Sequence, residues 1–189
     1  AYVFPADDPR PGQQARLLSL LQQQGFEVHK TDDAFDVGET QYAEGAYVVR
    51  MDQPFSRGAD MMLDKQYYNP NDPRPYDDVG WTHGPLYNVL SDRIEDGSIL
   101  DVLMTLAEEA VEALGGVEGD RSANYYLVNY NADNNLTAFR FANPDIAIEA
   151  AEYAFTAGDR DFNAGSFVIR TDGDDRFHRA IEMAAREHG

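Results

Sequence analysis

Cysteine is absent from these 189 residues, lysine occurs only at Lys30 and Lys65, and tryptophan only at Trp81. Without cysteine there is no disulfide, no thiolate nucleophile and no cysteine metal ligand, and the redox compartment is left open. No apolar run approaches the ~20 residues that a membrane-crossing helix needs. Basic residues are scarce as a class: 15 Lys plus Arg stand against 34 Asp plus Glu, a formal charge of -19. A field of that sign repels phosphate backbones, so neither nucleic acid nor an anionic membrane is an expected partner. A solvated acidic surface accounts for the charge, and its Asp-rich, Lys-poor balance suits a salty medium that screens self-repulsion. Cation binding by individual carboxylate clusters is the alternative. The opening Ala1 to Pro5 lacks the basic start and long apolar stretch of a signal peptide, and without an initial Met it reads as a processed product or an excised domain.

What is present suffices for a folded core. Apolar residues make up 43% of the chain, and 189 residues favour one α/β domain spanning 1–189. Two segments, 26–50 and 146–170, match without a gap at an offset of 120 positions. Phe35 answers Phe155, Gly38 answers Gly158, and Gly45-Ala-Tyr-Val-Val-Arg50 answers Gly165-Ser-Phe-Val-Ile-Arg170. Val28 with Ile148 keeps an apolar position, and Ala34 with Ala154 and Asp52 with Asp172 lengthen the match. Duplication of a structural unit explains so many identities at one spacing.

Periodicity places elements on this frame. Tyr2-Val3-Phe4 reads as a strand, and Ala15, Leu17, Leu18, Leu20 and Leu21 sit at helical spacing before Gly25. Phe26 with Val28, and Ala46 to Arg50, read as strands, and Pro54 is placed to start a helix carrying Ala59, Met62 and Leu63. A helix is expected over Ile99 to Leu114, stopped by Gly115-Gly116. The second copy reads strand at Tyr125 to Val128, helix at Asn135 to Ala142, strands at Ile146 to Ile148 and Phe167 to Arg170, and a helical stripe of Phe177, Ala180, Ile181 and Ala184. Strands alternating with helices predict a three-layer α/β fold, with a mostly parallel sheet covered by helices on both faces and built from two similar halves.

Candidate sites are few. The glycines at 45 and 165 do not continue into phosphate-binding loops, and no Lys-Ser or Lys-Thr follows them. His29, His83, His178 and His188 form no zinc-ligand spacing, so no metal-binding residue and no cofactor is assigned to this chain. Ser122 and Ser166 lack an identifiable base and a nucleophile motif, and no catalytic residue is assigned. Asp174-Asp175 suits the start of the last helix, and Asp77-Asp78 suits hydrogen bonds within the aromatic loop, with a share in a hard-cation site as the alternative. The polar stretch Asn129 to Asn135 follows the first strand of the second half, where open α/β sheets collect ligands. Its Asn129, Asn131, Asp133, Asn134 and Asn135 are the candidate ligand-binding residues, with capping of the next helix as the competing role. The aromatic, proline-rich connection 66–85 presents Tyr67, Tyr68, Tyr76 and Trp81 as candidate interaction residues.

Gly45-Ala-Tyr-Val-Val-Arg-Met-Asp-Gln-Pro-Phe-Ser-Arg57, then Arg74-Pro-Tyr-Asp-Asp-Val-Gly-Trp81-Thr, Tyr126-Leu-Val and Gly165-Ser-Phe-Val-Ile169 together resemble the region downstream of the catalytic domain in large bacterial M14 zinc carboxypeptidase-like proteins. The resemblance implies a class I glutamine amidotransferase-like (flavodoxin-like) fold without amidotransferase chemistry, since the cysteine nucleophile is absent. It implies a noncatalytic accessory domain, because the family's His-x-x-Glu motif, later zinc-ligand His and general-base Glu have no matching positions here. Zinc is expected in the catalytic peptidase domain of the parent, which becomes the expected partner, with a peptide or another subunit as further candidates. A secreted or periplasmic parent fits the resemblance, although nothing in the chain assigns a compartment. An independent domain that binds a small molecule or peptide is the alternative.

Overall fold

Tyr2, Val3 and Phe4 are all buried, which a strand achieves only when both faces of its sheet are covered. The computed structural model describes residues 1–65, 69–71, 73, 82–113, 115–171 and 173–189. The chain divides into two compact units, Ala1–Glu112 and Ala113–Gly189, each with its own buried apolar cluster.

The first unit runs β1 (Tyr2–Phe4), α1 (Pro11–Gln23), β2 (Val28–Thr31), β3 (Phe35–Val37), β4 (Thr40–Tyr42), β5 (Tyr47–Val49) and α2 (Ser56–Leu63). Then follow α3 (His83–Leu86), β6 (Asp92–Arg93), a 3-10 turn over Gly97–Asp101 and β7 (Met104–Leu106). Pro11 opens α1, where no intrahelical N–H is needed. Gly25, with φ +85°, closes it: the Gly25 amide donates to Gln22 O at 2.9 Å and the Phe26 amide to Leu21 O at 3.1 Å, a Schellman pair.

The sheet of this unit has the order β6-β1-β5-β2-β7, and every neighbour is antiparallel. The expected mostly parallel sheet is therefore not the fold, and neither is a flavodoxin-like or glutamine amidotransferase-like one, which requires adjacent parallel strands. The physical reason lies in β5. Both β1 and β2 are antiparallel to β5, so they share a direction, as strands joined through a crossover helix should. The chain then returns through the β3–β4 hairpin and inserts β5 between them, giving a split β-α-β unit. Strand–helix alternation encodes the shared direction of β1 and β2 but not their adjacency.

The pleat sorts the two faces. Tyr2, Val49 and Val28 lie side by side on one, and Val3, Val48 and His29 on the other. The second face carries a cluster of Val3, Val37, Tyr42, Ala46, Val48 and Ile99, with Ile94, Leu100, Val102 and Met104 packed against it. The β3–β4 hairpin and the segment from β6 to β7 thus cover this face, and β6 and β7 pair with the outer edges of β1 and β2 as short edge strands.

That arrangement also corrects the helix expected over Ile99 to Leu114. Ile99 is buried in a 3-10 turn, Met104–Leu106 pairs with β2, and residues 107–113 are not helical. The backbone of the run is satisfied elsewhere. The Ala107 amide donates to Val28 O at 2.9 Å, Gln22 Nε2 donates to Ala107 O and Glu109 O, and Gln22 Oε1 accepts from the Val111 amide at 3.0 Å.

The second unit runs β8 (Tyr125–Val128), α4 (Asn134–Ala142), β9 (Ile148–Ala150), β10 (Phe155–Ala157), β11 (Arg160–Phe162), β12 (Phe167–Arg170) and α5 (Asp175–His188). Its sheet is β8-β12-β9, again antiparallel throughout with the last strand inserted in the middle. Equivalent bonds recur at an offset of 120. Thr31 donates to Ala46 O and Gly45 to Thr31 O; Ala151 donates to Ser166 O and Gly165 to Ala151 O. The hairpins match as well, with Gly38 at φ +60° and Gly158 at φ +64° in the first position of two-residue turns. Helices α4 and α5 cover one face through Phe139, Ile146, Ile169, Ile181 and Ala184.

Candidate functional site

The Asn-rich stretch is built where β8 ends, and its polar atoms bond inward. Asn129 Oδ1 accepts from Ser166 Oγ at 3.1 Å and from the Asn163 amide at 3.0 Å, while Asn129 Nδ2 donates to Asp161 O at 3.2 Å. Asn163 Nδ2 donates to Tyr130 O at 2.8 Å and to Asn131 Oδ1 at 3.2 Å. The fully buried Ser166 also accepts from the Tyr130 amide. These bonds tie the β8–α4 loop to the β11–β12 loop, which leaves Asn129 and Asn131 with structural partners.

Asp133 is the N-cap of α4, its Oδ1 accepting from the Asn135 amide at 2.8 Å. Asn135 reaches the chain end, donating from Nδ2 to His188 O at 2.6 Å. Asn134 is exposed. The five residues thus share one loop and helix start without converging their side chains on a common point. Tyr67, Tyr68, Tyr76, Trp81 and the pair Asp77-Asp78 lie outside the described residues.

Each histidine has its own set of contacts. His29 stands in β2, where burial lowers its pKa and Arg50 adds to the effect, and its Nδ1 is buried without a partner. His83 Nδ1 is 3.0 Å from Met62 O. His178 is buried in α5 and shares a hydrogen bond with the Tyr126 hydroxyl, and His188 packs edge-on against Phe139. No group of three metal-ligating residues occurs among the described residues, and no helix there is long and apolar enough to cross a membrane.

Charge collects in the first unit around Arg93. Its guanidinium pairs with Asp60 and Asp64 and lies 6.0 Å from the Tyr2 ring centroid. The Tyr2 hydroxyl donates to Asp60 Oδ1 at 2.7 Å; burial first, then this bond, push its pKa far above the usual phenol value. The second unit repeats the tyrosine but changes the partner, as Tyr126 meets His178 on α5. Both contacts fasten the first strand of a unit to the helix after its central strand.

After β5, Asp52 and Gln53 hold the chain in place. Asp52 pairs with Arg50 at 2.7 Å, which holds its carboxyl below the usual carboxylate range. Buried Gln53 donates to Glu27 O and Arg50 O and accepts from the Glu27 amide at 2.7 Å. Serine and carboxylate candidates read the same way: the Ser166 hydroxyl belongs to the loop network, and Asp174 caps α5 through the Arg176 amide at 2.8 Å.

Comparison with known proteins finds no matching family model, no matching curated protein and no matching solved structure.

The feature that sequence reading missed is a difference between the two units. In the first, β6 and β7 pair with the outer edges of β1 and β2; in the second, no strand among the described residues pairs with the outer edges of β8 or β9. The face under the hairpin differs too. Val3 and Val48 are fully buried, whereas their counterparts Leu127 and Val168 are half-buried, and Glu149 stands exposed where His29 is half-buried. Motif reading had no access to this, because the repeat ends before the residues that close the first unit.

Proposed function

We propose that this chain is a noncatalytic interaction module that accompanies a zinc carboxypeptidase-like enzyme. The observation that carries the interaction role is the second sheet: a unit that repeats the first, yet no strand among the described residues pairs with the outer edges of β8 and β9, and Leu127 and Val168 on the hairpin-side face are only half-buried. Strand edges of this kind bind extended polypeptide through main-chain hydrogen bonds. The polar side chains nearest a ligand-binding arrangement, at Asn129, Asn131, Asp133 and Ser166, are engaged in loop ties and a helix cap. That favours a polypeptide partner over a small molecule. The peptidase association rests on the signatures at 45–57, 74–82 and 165–169, which resemble the region following the catalytic domain in that family.

In this reading the metal-activated water and the zinc ligands belong to the parent's catalytic domain, and this chain steadies that domain or shapes access to it. The test compares the intact parent with the isolated chain on peptides with free C-termini, with zinc supplied to both. The isolated chain is expected to release no C-terminal residue while the parent does. Equal turnover per molecule would overturn the accessory role.

A further inference from the structure

We infer that the outer edge of β9 and the adjoining hairpin-side face of the second unit receive an extended segment of a partner protein, apolar at its inward positions and carrying Lys or Arg opposite Glu149. The inference deepens the interaction role proposed above and rests on it. Its template is the first unit itself. There, β7 pairs with β2 so that Leu106 lies opposite His29 and Met104 opposite Thr31, while the Asp32 amide donates to Leu103 O at 3.1 Å and Val28 O accepts from the Ala107 amide at 2.9 Å. The same segment lays Ile94, Ile99, Leu100 and Val102 over Val3 and Val48.

At the offset of 120, Val28, His29, Lys30 and Asp32 become Ile148, Glu149, Ala150 and Glu152. The bonds that join β2 to β5 in the first unit have their equivalents between β9 and β12. The backbone groups that meet β7 in the first unit therefore belong to Ile148, Ala150 and Glu152 in the second, where no strand among the described residues meets them. Glu149 and Ala150 are exposed; on the hairpin-side face the half-buried Val168 lies beside Glu149, with the half-buried Leu127 on its other side.

Charge selects the occupant. In a chain of formal charge -19, the residue at the centre of this edge is a carboxylate, flanked by Glu152. Like charges placed directly opposite across a strand pair are destabilising and opposite charges favourable. A second copy of β9 paired in register about its centre would set Glu149 opposite Glu149, whereas a basic residue at the position of Leu106 completes the pair.

The experiment uses the intact chain and two synthetic peptides based on its own residues 92–107, both with Glu95→Ser, Asp96→Ser and Asp101→Ser. One carries Leu106→Lys and the other Leu106→Glu. Hydrogen exchange read amide by amide is expected to show the Lys peptide protecting Ala150 and Glu152, with affinity about five- to tenfold above that of the Glu peptide, the scale of one exchanged cross-strand charge pair. In the Glu149→Lys variant the preference should invert. Equal affinities, or no protection at Ala150 and Glu152, would overturn the assignment. So would protection of those amides by the chain alone, rising with its own concentration, which assigns the edge to a second copy. Amide protection is independent of turnover, so failure here and failure of the peptidase comparison are separate results.

Discussion

Phe155 and Phe162 face each other across a two-residue hairpin with ring centroids 5.1 Å apart, the same relationship that Phe35 and Tyr42 hold at 5.0 Å. Their surroundings differ. Tyr42 is 4% exposed and packs into the cluster around Ile99, whereas Phe162 is half-buried.

Truncating the two rings should therefore have unequal effects. Tyr42→Ala removes a ring from a packed core and is expected to cost about 3 kcal/mol, against about 1 kcal/mol for Phe162→Ala. Denaturant unfolding, followed by amide exchange within each unit, checks the difference. Equal losses would contradict the half-covered face of the second unit.

Two equivalent glycines should also separate. Both Gly45 and Gly165 have φ near +90°, at +86° and +91°, so alanine at either is expected to cost about 1–2 kcal/mol in backbone strain. A Cβ at Gly45 meets the flexible Lys30 side chain at 3.4 Å, but at Gly165 it meets the Tyr130 ring at 3.1 Å. Gly165→Ala should be the more damaging, with the exchange of the Tyr130 amide accelerated.

Asp133→Ala should destabilise the second unit by about 1 kcal/mol through loss of the α4 cap, while Asn134→Ala changes stability by less than about 0.5 kcal/mol. Melting of the two variants beside the native chain decides it. A larger effect at Asn134 would show that the loop is organised otherwise than by its cap.

Alkaline pH should loosen the first unit. Burial, helped by the 3.0 Å bond to Asp92, pushes the Tyr42 pKa up to about 12 from its ordinary value of 10.0. Between those values the unfolded chain has released the proton while the folded one retains it. Stability is thus fully present below pH 10 and is lost as pH rises toward 12. Tyr42→Phe should flatten this part of the curve; unfolding free energies of both proteins at pH 9 and 11.5 test it, and an unchanged slope would exclude Tyr42 as its source. Tyr2, shifted in the same direction by burial and Asp60, supplies a remaining slope.

Much of the local structure is legible in the residues themselves. Leu17, Leu18 and Leu21 at helical spacing, Gly25 after them, and the matched Gly-aromatic-Val/Ile-Arg strands each depend on neighbours in sequence, so pattern and turn chemistry reach them. The Ile99 to Leu114 run shows where that reach stops. Its apolar spacing fits a helix, yet pairing with β2 and the Gln22 side chain satisfy its backbone, and those partners lie far away in sequence. The Asn-rich loop was legible as polar, while the direction of its hydrogen bonds depended on Ser166 and Asn163.

By itself, the sequence determined the repeated unit at an offset of 120, the acidic field, and the absence of cysteine chemistry, because these are properties of residue identity and spacing. Only the tertiary structure decided that β5 and β12 slip between strands of shared direction, making both sheets antiparallel. Only it decided that β6 and β7 extend one sheet beyond β1 and β2 while no strand among the described residues extends the other beyond β8 and β9. Strand adjacency is settled by long-range backbone pairing, and a one-dimensional pattern that fixes which way each side chain faces does not specify which strand lies beside it.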